Sequence, residues 1–334
     1  MSRVKRRARS QAGRGSRSSA GSGEGRAVDM GVAVGPLRLA SPIVAASGTF
    51  GHGGEVLHLV DGARLGALTV KSLAAYPWAG NPAPRLHASA GGGMLNSVGL
   101  QGPGVQHWIR EELPALRVGG VPVIVSLWGR SIEEFAAAAR VLVGHQDSIA
   151  AIELNVSCPN VEDSARMFAH STSATRAVVE AVVACDLGLP VFAKLSPNTF
   201  DIVDIARAAV DAGATGLTLV NTLLGLGIDA ETRRPQLGAG AGGYSGPPIK
   251  PVALRAVYEV SRALPGVPVI GTGGVSSGVD AIEMLLAGAA AVGVGTVSFR
   301  EPRAVNRIHN EVARWCVEHD VERVADLVGG LGRG

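Results

Sequence analysis

Aromatic side chains are scarce in this chain, and the scarcity narrows what it can build. Phe, Trp and Tyr together make up 4% of 334 residues. A large core must therefore come from Ala, Val, Leu and Ile. Cysteine is also rare, with three residues at 158, 185 and 316. They are too few and too scattered for a disulfide framework, and a reducing, cytoplasmic compartment is expected. No run of 18 apolar residues occurs, so no transmembrane helix is expected. No signal-peptide core follows the amino terminus. No His or second Cys stands at ligand spacing from Cys158, so no metal site is expected. The eight His form no recognisable triad. At 18% the charged fraction is low for a solvated or disordered chain.

What is present points to one large α/β domain. Hydrophobic residues reach 46%, and Gly is high at 46 residues. That mix suits β/α layers packed by small, branched side chains. The net charge of +3 hides an asymmetry. Residues 1–27 hold Arg3, Lys5, Arg6, Arg7, Arg9, Arg14, Arg17 and Arg26 against Glu24 alone, and the rest of the chain is mildly acidic. The Ser/Gly/Arg-rich segment cannot bury a core and reads as a disordered basic tail. An organelle transit peptide has similar composition, and weak nucleic-acid contact is a third reading. Residues 28–334 read as a single catalytic domain, for which neither nucleic acid nor membrane is an expected partner.

Short aliphatic runs alternate with helical patterns along this body. The expected strands are Pro42–Ala46, Ala67–Lys71, Pro122–Leu127, Ala150–Val156, Pro190–Leu195, Gly216–Asn221, Pro268–Gly271 and Ala290–Gly295. The intervening helices are expected at Val105–Leu116, Ile132–Val143, Ser173–Cys185, Asp201–Ala212, Lys250–Leu264, Gly278–Ala287 and Arg303–Val317, with a last helical stretch near Val321–Val328. Each carries apolar residues three and four apart. Strand–helix alternation implies a parallel sheet, and eight repeats imply closure into a (β/α)8 TIM barrel; an open doubly wound sheet is the runner-up. Two inserted active-site loops, residues 72–104 and 157–172, leave from strand ends on the face where such barrels carry their chemistry.

Polar residues crowd those same strand ends. Ser47 ends the first strand, Lys71 the second, Asn155 the fourth, Lys194 the fifth, and Asn221 with Thr222 the sixth, while Ser126 lies within the third. A ring of polar groups around an apolar barrel is costly unless a polar ligand pairs with it. The segment 270–278, Ile-Gly-Thr-Gly-Gly-Val-Ser-Ser-Gly, offers backbone N–H groups to an anion at a helix start. Gly-Val-Gly-Thr at 293–296 matches it after the eighth strand, so Gly273, Gly274, Gly295 and Thr296 form a candidate phosphate site. No first-strand dinucleotide fingerprint is present, which argues against a Rossmann site. Cys158 opens a strand-end loop and reads equally as base or nucleophile and as a structural thiol; Cys185 and Cys316 read as buried small hydrophobes. A barrel isomerase acting on a sugar phosphate would use the glycine loops but leave Cys158 and the amides without a role. A non-catalytic scaffold is the third class.

The motifs resemble the class 1 dihydroorotate dehydrogenases, and among them the class 1B catalytic subunits, from about Val32 to Val328. The stretches that carry the resemblance are Ala-Ser-Gly-Thr-Phe-Gly (46–51), Gly-Asn-Pro-Ala-Pro-Arg (80–85), Met-Leu-Asn-Ser-Val-Gly-Leu-Gln (94–101) and Glu-Leu-Asn-Val-Ser-Cys-Pro-Asn (153–160). Lys-Leu-Ser-Pro-Asn (194–198), Val-Asn-Thr (220–222), Gly-Gly-Tyr-Ser-Gly-Pro-Pro-Ile-Lys-Pro (242–251) and the two glycine motifs complete the set. Gly-Leu-Gln at 99–101 leans toward class 1B over the fumarate-using class 1A.

The resemblance implies oxidation of dihydroorotate to orotate, with FMN as hydride acceptor. It makes Cys158 the base that takes the C5 proton and sets Lys71 between substrate and flavin. Asn96, Asn155, Asn221 and Thr222 would hydrogen-bond the substrate, and the backbone of Ser97, Val98, Gly99 and Leu100 would close over it. The flavin would be lined by Ser47, Ser72, Ser126, Asn155, Val220 and Gly246, with Lys194 stabilising its reduced form and the glycine loops holding its phosphate. It also implies a homodimeric core and a partner subunit carrying FAD and an iron–sulfur cluster that passes electrons to NAD. Ser126 departs from the Asn usual in the family, and Leu127-Trp128 is unusual after it. Dehydrogenation of another cyclic amide, such as a dihydropyrimidine, is the alternative on the same scaffold.

Overall fold

The computed structural model describes residues 27–157 and 167–332; the basic tail, apart from Ala27, and Cys158 lie outside the described residues. Eight parallel strands close into a barrel in chain order. They are β1 (Ile43–Ala45), β2 (Ala67–Thr69), β3 (Val123–Leu127), β4 (Ala151–Asn155), β5 (Val191–Leu195), β6 (Gly216–Leu219), β7 (Val269–Thr272) and β8 (Ala291–Val294). The ring closes through the pairing of β8 with β1, Val292 to Ile43 and Val294 to Ala45. The eight runs expected from sequence are these eight strands, and the open sheet is excluded. Every residue of β3, β4 and β5 is buried. Strands covered on both faces lose their polar alternation, and their sequences read as continuous apolar runs for that reason.

Among the described residues ten helices accompany the strands: α1 (Gly54–Leu57), α2 (Val105–Glu111), α3 (Leu113–Gly119), α4 (Ile132–Arg140), α5 (Thr172–Val183), α6 (Ile202–Asp211), α7 (Lys250–Ala263), α8 (Gly278–Ala287), α9 (Val297–Arg300) and α10 (Ala304–Glu318). Their starts follow local chemistry. Ser131 and Ser171 accept hydrogen bonds from Glu134 N and Ala174 N at the heads of α4 and α5, the side-chain caps that replace missing backbone partners. In α6, Ile202, Ile205, Ala206 and Ala209 form the buried stripe, the spacing expected of one helix face. The helix expected at 105–116 is broken into α2 and α3, with Pro114 in the first turn of α3 where its missing N–H costs nothing. The stretch expected at 321–328 is a 3-10 turn, Val324–Leu327.

Inside the barrel floor, Phe192 is fully buried, and it fits because β6 offers Gly216 opposite. A Cβ on Gly216 would lie 2.5 Å from the Phe192 ring. Truncating such a ring costs about 3–5 kcal/mol. An antiparallel hairpin, Val32–Val34 with Leu37–Leu39, covers this floor from outside. Its turn at Gly35 lies against Pro268 and Thr215, the residues just before β7 and β6.

The opposite end carries a second sheet that sequence periodicity did not show. Leu223–Gly225, Gly242–Ser245, Met94–Asn96 and Leu86–Ala88 form four antiparallel strands in that order. Two belong to the insertion after β2 and two to one after β6. The loops are thus not two independent flaps: the first insertion is stitched to a third, at residues 220–249, through pairs such as Asn96 to Gly243.

Candidate active site

A cavity of about 900 Å³ opens at the carboxyl ends of the barrel strands, beneath the antiparallel sheet, near the upper end of the range for small-molecule sites. It is lined by Ser47, Lys71, Ser72, Asn96, Ser97, Val98, Gly99, Leu100, Asn155, Lys194, Val220, Asn221, Thr222, Gly246, Gly273, Gly274, Gly295 and Thr296. All of these were singled out from sequence. Three cations, Lys71, Arg130 and Lys194, face it, and no described carboxylate does. Four carboxamides join them: Asn81, Asn96, Asn155 and Asn221. Such a wall suits a ligand with anionic groups and amide edges, because each amide side chain offers both donor and acceptor.

Two expected residues stand apart. Ser126 is fully buried and does not line the cavity. Its Oγ lies 2.9 Å from Ser72 Oγ, which does. Ser72 Oγ in turn accepts from Asn155 Nδ2 at 3.1 Å. The Asn155 Oδ1 accepts from Ser157 N at 3.3 Å and from Asn221 Nδ2 at 3.1 Å. This chain fixes which end of each amide faces which way. Cys158 lies outside the described residues; Ser157 and Met167, which flank that segment, both line the cavity.

The segment 97–100 is held from behind. Trp78 Nε1 donates to Gly99 O at 2.9 Å, and Asn81 Nδ2 to Ser97 Oγ at 2.9 Å. Arg85 fixes that support by donating to Asn81 O at 2.6 Å and Ala79 O at 3.0 Å, and to the Gln101 side chain. Trp78, Trp128 and Tyr76 meet edge to face with centroids 6.1–6.3 Å apart. The Arg130 guanidinium stacks 5.3 Å above the Trp78 ring. Three of the chain's few aromatics are thus gathered at one side of the cavity, with Trp78 and Trp128 lining it and Tyr76 packed against both. Sequence reasoning noticed Trp128 only as unusual, and missed Trp78, Asn81 and Arg130; the Gly-Asn-Pro-Ala-Pro-Arg motif just beyond Trp78 was the available signal.

At the β7–β8 end the expectation of an anion at the start of α8 needs correction. The amides of Ser276 and Ser277 donate to Asp280 Oδ2, both at 2.9 Å, and Gly278 N donates to Glu311 Oε2 at 2.6 Å. The protein's own carboxylates close that helix end. What faces the cavity is the preceding turn, Gly273 to Val275, together with Gly295 and Thr296. Gly274 has φ +78, and a Cβ there would lie 2.6 Å from the backbone of Lys250, so a side chain is excluded twice over. A Cβ on Gly295 would meet nothing nearer than 3.7 Å. Glycine at 295 therefore keeps space open inside the cavity and relieves no clash. An elongated ligand ending in a phosphate fits this end.

Lys71 is mostly buried, and its ammonium is pushed below the usual lysine range by burial first and by the Arg85 charge second. An anionic ligand beside it would offset both effects. Among the described residues no helix is long and apolar enough to cross a membrane.

The dihydroorotate dehydrogenase family matches residues 30–315. The chain is 46% identical over 303 residues to the dihydroorotate dehydrogenase B (NAD(+)) catalytic subunit of Citrifermentans bemidjiense, covering 91% of this chain and 98% of that protein. The subunit of the same name from Pelobacter propionicus is 46% identical over 308 residues, with 91% and 98% covered. That from Alkaliphilus oremlandii is 44% identical over 303 residues, with 91% and 99% covered.

Proposed function

The chain belongs to the dihydroorotate dehydrogenase family, and from that membership we propose that it oxidises dihydroorotate to orotate, using bound FMN, as the catalytic subunit of a two-subunit enzyme of pyrimidine biosynthesis. The observation that carries the reading is the wall of the cavity. Cations and carboxamides from β2, β4, β5, β6 and the overlying sheet face one space, with no described carboxylate among them. Orotate is an anion with an imide edge, and FMN is a phosphate ester with an amide-rich ring.

The fit can be followed group by group. Gly273, Gly274, Gly295 and Thr296 would hold the phosphate, and Ser47, Ser72, Val220, Gly246 and Lys194 the rest of the cofactor. Ser126 would contribute only through Ser72, to which it is hydrogen-bonded. FMN held by these residues would supply the two-electron acceptor for the hydride that leaves C6 of the substrate. Cys158 would accept the C5 proton on Sγ, so that loss of H⁺ and H⁻ leaves the C5–C6 double bond. A free thiol titrates near pH 8.5, and positive charge beside a thiol favours its thiolate. Asn96, Asn155, Asn221 and Thr222 would orient the imide and carboxylate, Lys71 would neutralise the anion, and the backbone of 97–100 would exclude water.

The relatives' names specify NAD and a subunit organisation. We carry over a partner subunit that accepts the electrons, with FAD and an iron–sulfur cluster as its expected carriers, a homodimeric core and a cytoplasmic location. The test of the cofactor is direct. Purified protein should be yellow and, on denaturation, release one FMN per chain; orotate should perturb the bound spectrum. Colourless protein that takes up no FMN would refute the reading.

A further inference from the structure

The barrel interior is charged in one place only. Among the described residues, Glu153 and Lys194 are the only ionisable side chains buried within it, at 2% and 6% exposure. They stand on neighbouring strands, with Lys194 of β5 in register with Asn155 of β4, two residues above Glu153. Lys194 Nζ donates to Glu153 Oε1 at 3.4 Å, and Thr218 Oγ1 of β6 donates to Glu153 Oε2 at 2.9 Å. Each carboxylate oxygen is therefore held from a different strand. Lys194 lines the cavity, whereas Glu153 lies one layer deeper.

The surroundings make this carboxylate consequential. Neighbouring strands present only uncharged groups at its level: Ser126 on β3, Phe192 on β5 and, beyond Phe192, Gly216 on β6. The other charges on the cavity wall among the described residues, Lys71 and Arg130, are both cations. Both repel the Lys194 ammonium. Glu153 alone opposes them among the described residues.

We propose that Glu153 is a positioning residue for the cofactor: its carboxylate, tethered by Thr218, holds the Lys194 ammonium in place at the cavity wall. The inference rests on the flavin reading above. Lys194 then presents a fixed positive charge to the ring, which favours the reduced, more negative form of the cofactor over the oxidised one. A pair that served packing alone would leave that preference unchanged.

The experiment measures FMN dissociation constants for the oxidised and dithionite-reduced forms, between about pH 6.5 and 8.5, in wild type and Glu153→Gln. In the variant the reduced-to-oxidised ratio should stand about tenfold above wild type throughout that range as Lys194 loses its anchor, equivalent to about 30 mV for a two-electron couple. In a Lys194→Met background, adding Glu153→Gln should leave the ratio unchanged, because Glu153 acts only through Lys194. Should Glu153→Gln not fold, Thr218→Val, which removes one hydroxyl, reads the same effect at two- to threefold. Ratios that superimpose on wild type at every pH, or an equal effect of Glu153→Gln with and without Lys194, overturn the proposal. Failure of the wild type itself to bind FMN would instead overturn the flavin reading.

Discussion

The β7–β8 end of the cavity and the β4–β6 end are built by opposite means. At the first, backbone faces the ligand and every charge is kept behind it. Lys250 pairs with Asp280 at 2.6 Å and Glu283 at 2.7 Å, while Arg307 pairs with Glu301 and Glu311, both at 2.8 Å. Arg307 also donates to Ser276 O at 3.2 Å, so the network grips the glycine turn from outside. At the second end, side chains face the ligand and a charge pair sits inside the barrel. The first design suits permanent anchorage, because backbone donors are rigid and do not titrate. The second suits a reacting centre, where charge and proton affinity must respond. Damage to one end should therefore spare the function of the other.

The largest expected effect lies at the reacting end. Cys158→Ala should retain FMN yet lose about 10²–10⁴-fold in turnover at neutral pH, the range for removing a general base. Near-normal turnover would refute the base assignment. The anchoring end should fail differently. Gly274→Ala forces a side chain into the left-handed region and against α7, a strain of about 1–3 kcal/mol. FMN affinity should fall at least about tenfold, measured by fluorescence quenching, while turnover per bound flavin stays near wild type. Loss of turnover with full FMN occupancy would break the comparison.

Smaller effects sharpen it. Burial alone would raise the Asp280 carboxyl, but hydrogen bonds from Lys250, Ser276 and Ser277 outweigh it and hold the group below the usual range. Because the folded pKa is depressed, the stabilisation is present at neutral pH and fades as pH drops below about 4. Asp280→Asn should lower stability by about 1 kcal/mol at pH 7, the usual cost of a lost cap. Melting curves of variant and wild type should converge in acid, and a gap independent of pH would contradict the assignment. The least effect is expected from Trp78→Phe, which removes the donor to Gly99 O and narrows the ring under Arg130 while keeping an aromatic there. KM for dihydroorotate should rise about threefold with kcat unchanged, whereas an altered kcat would mean the wall does more than support the 97–100 segment.

The barrel was legible because doubly covered strands are continuous apolar runs, and because polar residues at their ends are too costly to be accidental. Lys71, Asn155, Lys194 and Asn221 follow from that argument alone, and all four line the cavity. The antiparallel sheet was not legible. Its strands are three or four residues long, and Met94–Asn96 pairs with Gly242–Ser245 nearly 150 residues away; no local periodicity encodes that. Glu153 was missed although its signal was present, a carboxylate inside an aliphatic run at 150–156. The closed end of α8 was only half legible: Asp280 stands three residues after Ser277, the spacing of a capping box, whereas Glu311 comes from another helix, 33 residues on. Ser126 belonged to the right strand, but only the packed structure shows that it reaches the cavity through Ser72.

The account stands most directly on an anaerobic titration of the purified, flavin-loaded protein followed by its visible absorbance. Dihydroorotate should bleach the flavin bands with one orotate formed per chain, and dihydrouracil, which lacks the carboxylate that Lys71 and its neighbours would recognise, should leave them intact. Bands that survive excess dihydroorotate, or that bleach equally with dihydrouracil, would contradict it.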